Sequence, residues 1–289
     1  MAVDLHLHSS KSDGSDKPAE IVAHAVAAGL EAIALTDHDN LDGIDEAAAA
    51  AAAAGIGFVP GTELSVNWRT GPMHMLVYFL EPGTGPLQDA LVGLQGGRQR
   101  RNREMAEKLS GLGLVVDYDE VVDEAGGSGV GRPHFAAVLM RKGYVASIKE
   151  AFDRYLANGA LAYVARRRFE AAEAIDLARA SDAVPVIAHP HTVGVSADDY
   201  RTAFEELVDA GLGGIEAYYP EYEPEQRRHL ARICRDLGVV ATGGSDYHGD
   251  YKPGLAVGTG WGDLVVPDEA VEMLHQQREL GSAQHQTVG

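Results

Sequence analysis

Apolar positions along the chain fall into seven short runs: AVDLHLH, EAIALT, IGFVPG, MHMLVYFL, AVPVIAH, LGGIEAY and GVVATGG. Short apolar runs bounded by glycine, proline and acidic residues read as strands. Between most of them stand patterns of helical period, among them PAEIVAHAVAAGL, DDYRTAFEELVDAGL and EPEQRRHLARICRDLG. The run of alanines before Gly55 is low in complexity, but alanine is the best helix former, so it too reads as helix. Strand and helix in alternation predict βαβ units, a parallel sheet and an α/β barrel. One stretch breaks the rhythm. Residues 82–169 hold only helical patterns (PLQDALVGLQ, RQRRNREMAEKLSGLG, SIKEAFDRYLANG) separated by glycines. The expected organisation is a discontinuous barrel, 1–81 with 170–289, carrying an inserted helical cap over 82–169.

The first run places Val3, Leu5 and Leu7 on one face and Asp4, His6 and His8 on the other. Alone, that is as compatible with an edge strand wetted on its polar face as with a metal site. The other strand ends change the balance, because barrels carry their reactive side chains there. The first strand is followed by Asp13, and EAIAL by Asp37, His38 and Asp39. GFVPG leads to Glu63, PVIA to His189 and His191, and GVVATGG to Asp246 and His248. His74 begins its strand and does not fit a strand-end argument. His24, His229, His275 and His285 lie in helical or tail contexts and read as ordinary residues.

Charge sharpens the picture. The net charge is −19, which argues against sequence-independent binding to a nucleic-acid backbone. Residues 98–168 nevertheless sum to +4, and everything outside them to −23. A basic segment inside an acidic chain predicts a phosphate reader joined to a part that wants cations. Up to residue 80 the basic residues are Lys11, Lys17 and Arg69 alone, so converging carboxylates there would repel unless divalent ions neutralised them. Mixed imidazole and carboxylate donors suit manganese, iron or zinc, and the lack of cysteine ligands argues against a purely structural zinc site. The single cysteine, Cys234, excludes an intramolecular disulfide and reads as a core residue. No charged-then-apolar leader precedes the first strand and no apolar run is long enough to span a bilayer, so a soluble cytoplasmic protein without membrane partners is expected.

In chain order DLHLHS, the loop residue Asp13, TDHD, GTELS, MHMLVYF, IAHPH and GSDYHG resemble the PHP (polymerase and histidinol phosphatase) family of metal-dependent phosphoesterases. The resemblance implies a distorted (β/α)7 barrel with two or three metals at its mouth. It implies one ion on His6, His8, Glu63 and Asp246, and a second that shares Glu63 with His74 and His189. It implies a third on Asp13, His38 and His248. It also gives His74 a place. Within the insert, RQRRNREMAEKL, GRPHFAAVL and YLANGALAYVARR resemble a subgroup of nucleoside 3′,5′-bisphosphate phosphatases and 5′-to-3′ exoribonucleases. Many of that subgroup read HPGR where this chain reads HPHT, so His191 and Thr192 stand in place of Gly-Arg.

The expected reaction is hydrolysis of a terminal phosphate from a small nucleotide or a short 5′-phosphorylated RNA. A hydroxide bridging two divalent ions, most readily manganese, would be the nucleophile, since ions acidify water and polarise phosphoryl oxygens. Ser9, Ser10 and Ser245 show no dedicated base and read as hydrogen-bonding residues. His191 and His134 are the candidate acids for the leaving group. Arg132 and His134 follow the glycine-rich GSGVG, and with Arg166, Arg101 and Asn102 they are the expected substrate contacts; Arg98 lies on the same helix as the last two. The alternatives are a histidinol-phosphate phosphatase, an amidohydrolase-like C–N hydrolase, and a non-enzymatic metal-binding module.

Overall fold

The computed structural model describes residues 2–126, 129–165 and 168–286. Its strands are β1 (Ala2–Asp4), β2 (Ala32–Leu35), β3 (Gly57–Trp68), β4 (Gly71–Tyr78), β5 (Phe169–Glu170), β6 (Val184–Ile187), β7 (Gly214–Tyr218), β8 (Val240–Gly243) and β9 (Val266–Pro267). The helices are α1 (Pro18–Ala27), α2 (Ile44–Ala54), α3 (Pro86–Gly111), α4 (Tyr118–Glu124), α5 (Arg132–Arg141), α6 (Ile148–Ala151), α7 (Ala171–Ala180), α8 (Tyr200–Asp209), α9 (Pro224–Leu237) and α10 (Glu269–Gln286). The alanine run is α2. Among the described residues no helix is long and apolar enough to cross a membrane.

The sheet runs β8-β7-β6-β4-β3-β2-β1-β9 and curls into a distorted barrel. Closure comes from the chain just past β1, which pairs with the chain past β8. Leu5 N–H donates to the Gly243 carbonyl at 3.0 Å, Asp246 N–H to that of His6 at 2.9 Å, and His8 N–H to that of Tyr247 at 3.0 Å. Gly244 permits this approach, because a Cβ there would lie 2.4 Å from the His6 nitrogen. The first strand is therefore no edge. Asp4, His6 and His8 are fully buried, and regular pairing stops at Asp4.

Among the described residues, three pairings depart from an all-parallel barrel, and the first is β1 with β9, which run antiparallel. β3 and β4 form an antiparallel hairpin, and β4 is antiparallel to β6. The apolar run GFVP stops at Gly61, but the strand continues to Trp68 because Leu64, Val66 and Trp68 keep an apolar face against the helices while Glu63, Ser65 and Asn67 alternate with them. Arg69 and Thr70 then turn the chain into Gly71, whose φ of 125° suits glycine. Glu63 thus sits mid-strand rather than in a loop. His74 sits mid-strand opposite Ser65, diagonal to Glu63.

The barrel interior is filled by Val3, Leu5, Ala34, Val59, Leu76, Tyr78, Val186 and Val240, with Ala270 and Leu274 of α10 packed into the same cluster. The helical stretch has a core of its own, including Met105, Leu109, Val121, Phe135, Leu139 and Leu156. α3 belongs to both, since its first half (Leu87, Leu91, Leu94) packs on the barrel's outer layer. Cys234 is buried in that layer.

Candidate metal centre

His6 and His8 leave the end of β1, His38 that of β2, His189 that of β6, and Asp246 and His248 that of β8, while Glu63 and His74 come from the hairpin. Asp13 is brought in by a tight loop. Asp37 ties that loop down: its Oδ1 accepts from Ser9 N–H at 2.8 Å and Ser12 Oγ at 2.6 Å, and its Oδ2 from Ser9 Oγ at 2.6 Å. Asp37 therefore acts as an anchor, and Asp39 similarly accepts from Ser65 N–H at 3.2 Å.

Glu63 is the hub. Its Oε2 lies 3.3 Å from His6 Nε2, 3.1 Å from His8 Nε2 and 3.3 Å from His38 Nδ1. Its Oε1 lies 2.9 Å from His74 Nδ1 and 3.0 Å from His189 Nε2. Asp246 Oδ1 stands 3.6, 3.4 and 3.4 Å from His6, His8 and His248. Asp13 approaches His38 at 3.6 Å and His248 at 3.5 Å. Among the described residues, three overlapping groups have ligand atoms mutually within 4.8 Å: His6, His8 and Glu63; His8, Asp13, His38 and His248; and His38, Glu63 and His74. His8, His38 and Glu63 each join two groups.

The electrostatics fit divalent cations. Burial pushes Glu63, Asp13 and Asp246 toward the neutral acid, yet the surrounding histidines, and Lys252 for Asp246, hold all three well below the usual carboxylate range. Burial drives His38 down to about 3, whereas His8, despite its burial, is raised to about 9 by Asp246 and Glu63. The buried Nδ1 atoms of His8 and His38 have no hydrogen-bond partner, which is costly unless an ion takes the lone pair. His189 and Asp246 hold left-handed backbone, with φ of 29° and 52°. Such conformations cost roughly 1–3 kcal/mol each and persist where surrounding contacts enforce them. Thr192 Oγ donates to the His189 carbonyl at 3.0 Å and so accepts from His189 Nδ1–H at 3.1 Å, leaving Nε2 for the centre.

The centre opens into a cavity of about 900 Å³ walled by the helical segment. Arg101, Arg132, Arg168, Lys149 and Lys252 line it, together with Phe152, Tyr251 and Trp261. Arg132 donates to the Leu156 carbonyl at 3.3 Å and lies over the Phe152 ring. Asn102 instead braces the loop before α5, donating to the Val130 carbonyl at 2.9 Å. Arg98 joins that carbonyl to the one of His38, at 3.2 and 2.9 Å. The loop packs on the Asp13 turn, where a Cβ at Gly129 would meet Lys11 backbone at 2.5 Å. His134 sits behind the lining, accepting from Gly131 N–H at 2.9 Å through Nδ1, and burial lowers it to about 4. His191 packs beside His189, with Nδ1 3.0 Å from the Tyr222 hydroxyl and Nε2 3.5 Å from Glu221. Arg166 lies outside the described residues.

Sequence reasoning missed Glu216, Tyr219 and Lys252. Tyr219 and Lys252 both donate to Asp246 Oδ2, which leaves Oδ1 for the centre. Nothing in the pattern marks Lys252. Glu216 carried a signal, a lone carboxylate inside the apolar strand LGGIEAY.

The PHP domain profile matches residues 4–157. A 5′-3′ exoribonuclease of Haemophilus influenzae is 34% identical over 246 residues, covering 85% of this chain and 89% of the relative. A 3′,5′-nucleoside bisphosphate phosphatase of Chromobacterium violaceum is 32% identical over 261 residues, covering 89% and 90%. A metal-dependent phosphoesterase structure from Bifidobacterium adolescentis superposes with a TM-score of 0.84 at 27% identity, over 95% of this chain and 96% of that one. With the barrel, the clustered histidines and carboxylates and these likenesses together, the chain belongs to the PHP domain family.

Proposed function

We propose that the protein is a metal-dependent phosphomonoesterase acting on a nucleoside 3′,5′-bisphosphate or on the 5′ end of short RNA. One observation carries this reading: the acidic, histidine-rich centre and the cationic helical wall face the same cavity. His6, His8, Glu63 and Asp246 would hold one ion, Glu63 with His74 and His189 a second, and Asp13, His38 and His248 a third. Two or three divalent ions, manganese first, would supply Lewis acidity that polarises a phosphoryl oxygen and acidifies water.

The chain's own side chains do the rest. Arg132, Arg101 and Arg168 present planar donor forks to phosphate oxygens, and Phe152, Tyr251 and Trp261 offer ring faces to a base. Of the two candidate acids, His191 lies beside His189 with ring centroids 6.1 Å apart, its Nδ1 at the Tyr222 hydroxyl and its Nε2 toward Glu221. His134 has one nitrogen committed to the α5 cap. The likenesses to an exoribonuclease and a bisphosphate phosphatase support the substrate class.

The test is a comparison of substrates by the manganese-loaded enzyme. Adenosine 3′,5′-bisphosphate is expected to show kcat/KM at least about tenfold above histidinol phosphate, or ~1.4 kcal/mol of discrimination. The reverse order overturns the nucleotide assignment, and phosphate release from neither overturns the phosphomonoesterase.

Arg132→Ala is expected to leave metal content unchanged and to raise KM. A charge-assisted bidentate contact is worth roughly 1.5–3 kcal/mol, so kcat/KM should fall about tenfold to hundredfold. Arg132→Lys should recover part of this, since an ammonium keeps the charge without the fork. Unchanged kinetics, or metal loss, would show that this side chain does not meet the phosphate.

A further inference from the structure

We propose that Glu216 is the positioning residue that sets two candidate metal ligands at once, the ring of His6 and the backbone of His189. The proposal rests on the metal-centre reading and goes beyond it. Glu216 lies in the middle of β7, fully buried. Its Oε1 is 2.8 Å from His6 Nδ1, and its Oε2 accepts from His189 N–H at 2.6 Å. Among the described residues no lysine or arginine pairs with it. A buried carboxylate so placed is costly unless its hydrogen bonds are complete and positive charge stands beyond them.

The two contacts have different consequences. A carboxylate can only accept, so His6 Nδ1 must carry the proton. That leaves His6 Nε2 as the lone-pair nitrogen, and Nε2 is the atom that faces Glu63 Oε2 at 3.3 Å and Asp246 Oδ1 at 3.6 Å. The second contact holds the His189 amide in its left-handed turn, with φ of 29°. Both oxygens of Glu216 are occupied by N–H donors, which leaves neither for an ion. It acts through its neighbours.

Glutamine cannot replace it. Both neighbours need an acceptor, and an amide offers one oxygen and one NH2. If the oxygen serves His189, the NH2 meets His6 Nδ1 and selects the tautomer whose Nε2 carries the proton, closing that nitrogen to a metal. If the oxygen serves His6, the His189 turn loses its hold.

The experiment is titration of Mn2+ into chelator-treated wild-type and Glu216→Gln proteins, with steady-state kinetics at saturating Mn2+. Outer partners of metal ligands typically contribute about 10–100-fold in affinity, and a rise of that size in the apparent Kd for Mn2+ is expected. KM for the nucleotide should not move, because Glu216 lies outside the cavity lining. Equal Mn2+ affinity in the two proteins overturns the proposal, whereas no uptake by wild type overturns the metal reading instead. Long-range 15N–1H spectra of zinc-loaded wild-type protein give a second test that does not depend on how the variant folds. Protonated Nδ1 and ligated Nε2 at His6 are expected, and ligation through Nδ1 overturns the role given to Glu216.

Discussion

Glu63→Gln is expected to lower kcat by at least about 10³-fold, equivalent to ~4 kcal/mol of lost transition-state stabilisation. The reason lies in how many partners one side chain serves. Its two oxygens face five histidines, three on one side and two on the other, all within 3.3 Å. An amide removes the negative charge that two cations would share, and it turns an NH2 donor toward imidazole lone pairs. β3 itself should survive, because its backbone ladder with β4 and its apolar face of Leu64, Val66 and Trp68 do not involve the carboxylate. Elemental analysis should therefore show lost metal in a protein with near wild-type secondary structure. Stoichiometric metal, with kcat within tenfold of wild type, would contradict this role.

Chelation of the wild-type enzyme is expected to abolish phosphate release and to lower the melting temperature by about 10 °C. A ligand bound only by the folded state at about 100 times its Kd stabilises by ~2.7 kcal/mol, and two such sites by about twice that. For a chain of this size each kcal/mol shifts the midpoint by roughly 2 °C. Without ions, among the described residues the carboxylates of Asp13, Glu63 and Asp246 are balanced by the surrounding imidazoles and, for Asp246, by Lys252. Re-addition of Mn2+ should restore both readings. A chelated protein that melts like the untreated one, with full activity, would contradict the assignment.

Much of this centre was legible because strand ends are easy to see. His6, His8, His38, His189, Asp246 and His248 follow apolar runs that stop abruptly, and the sheet carries them to one mouth. Glu63 and His74 were harder. The run before Glu63 ends in Pro60-Gly61, which imitates a loop, and only the alternation of Leu64, Val66 and Trp68 shows that the strand goes on. The antiparallel hairpin followed from a short turn at Arg69-Thr70-Gly71, whose geometry periodicity does not encode. Charge marked the helical segment as basic, but not which side chains meet the cavity. Arg101 and Arg132 line it, whereas Asn102 and His134 hold the loop that packs against Asp13. Glu216 reaches His6 and His189 from an element distant in sequence, a pairing that depends on tertiary packing, whereas Lys252 turns back on Asp246 only six residues before it, through a loop geometry that periodicity does not encode.

The most direct measurement is the anomalous scattering of manganese in crystals of the unchelated wild-type protein. Two or three peaks are expected, one on each side of Glu63 and the third among Asp13, His38 and His248. No peak among these side chains, in protein purified without chelators and supplied with Mn2+, would contradict the account.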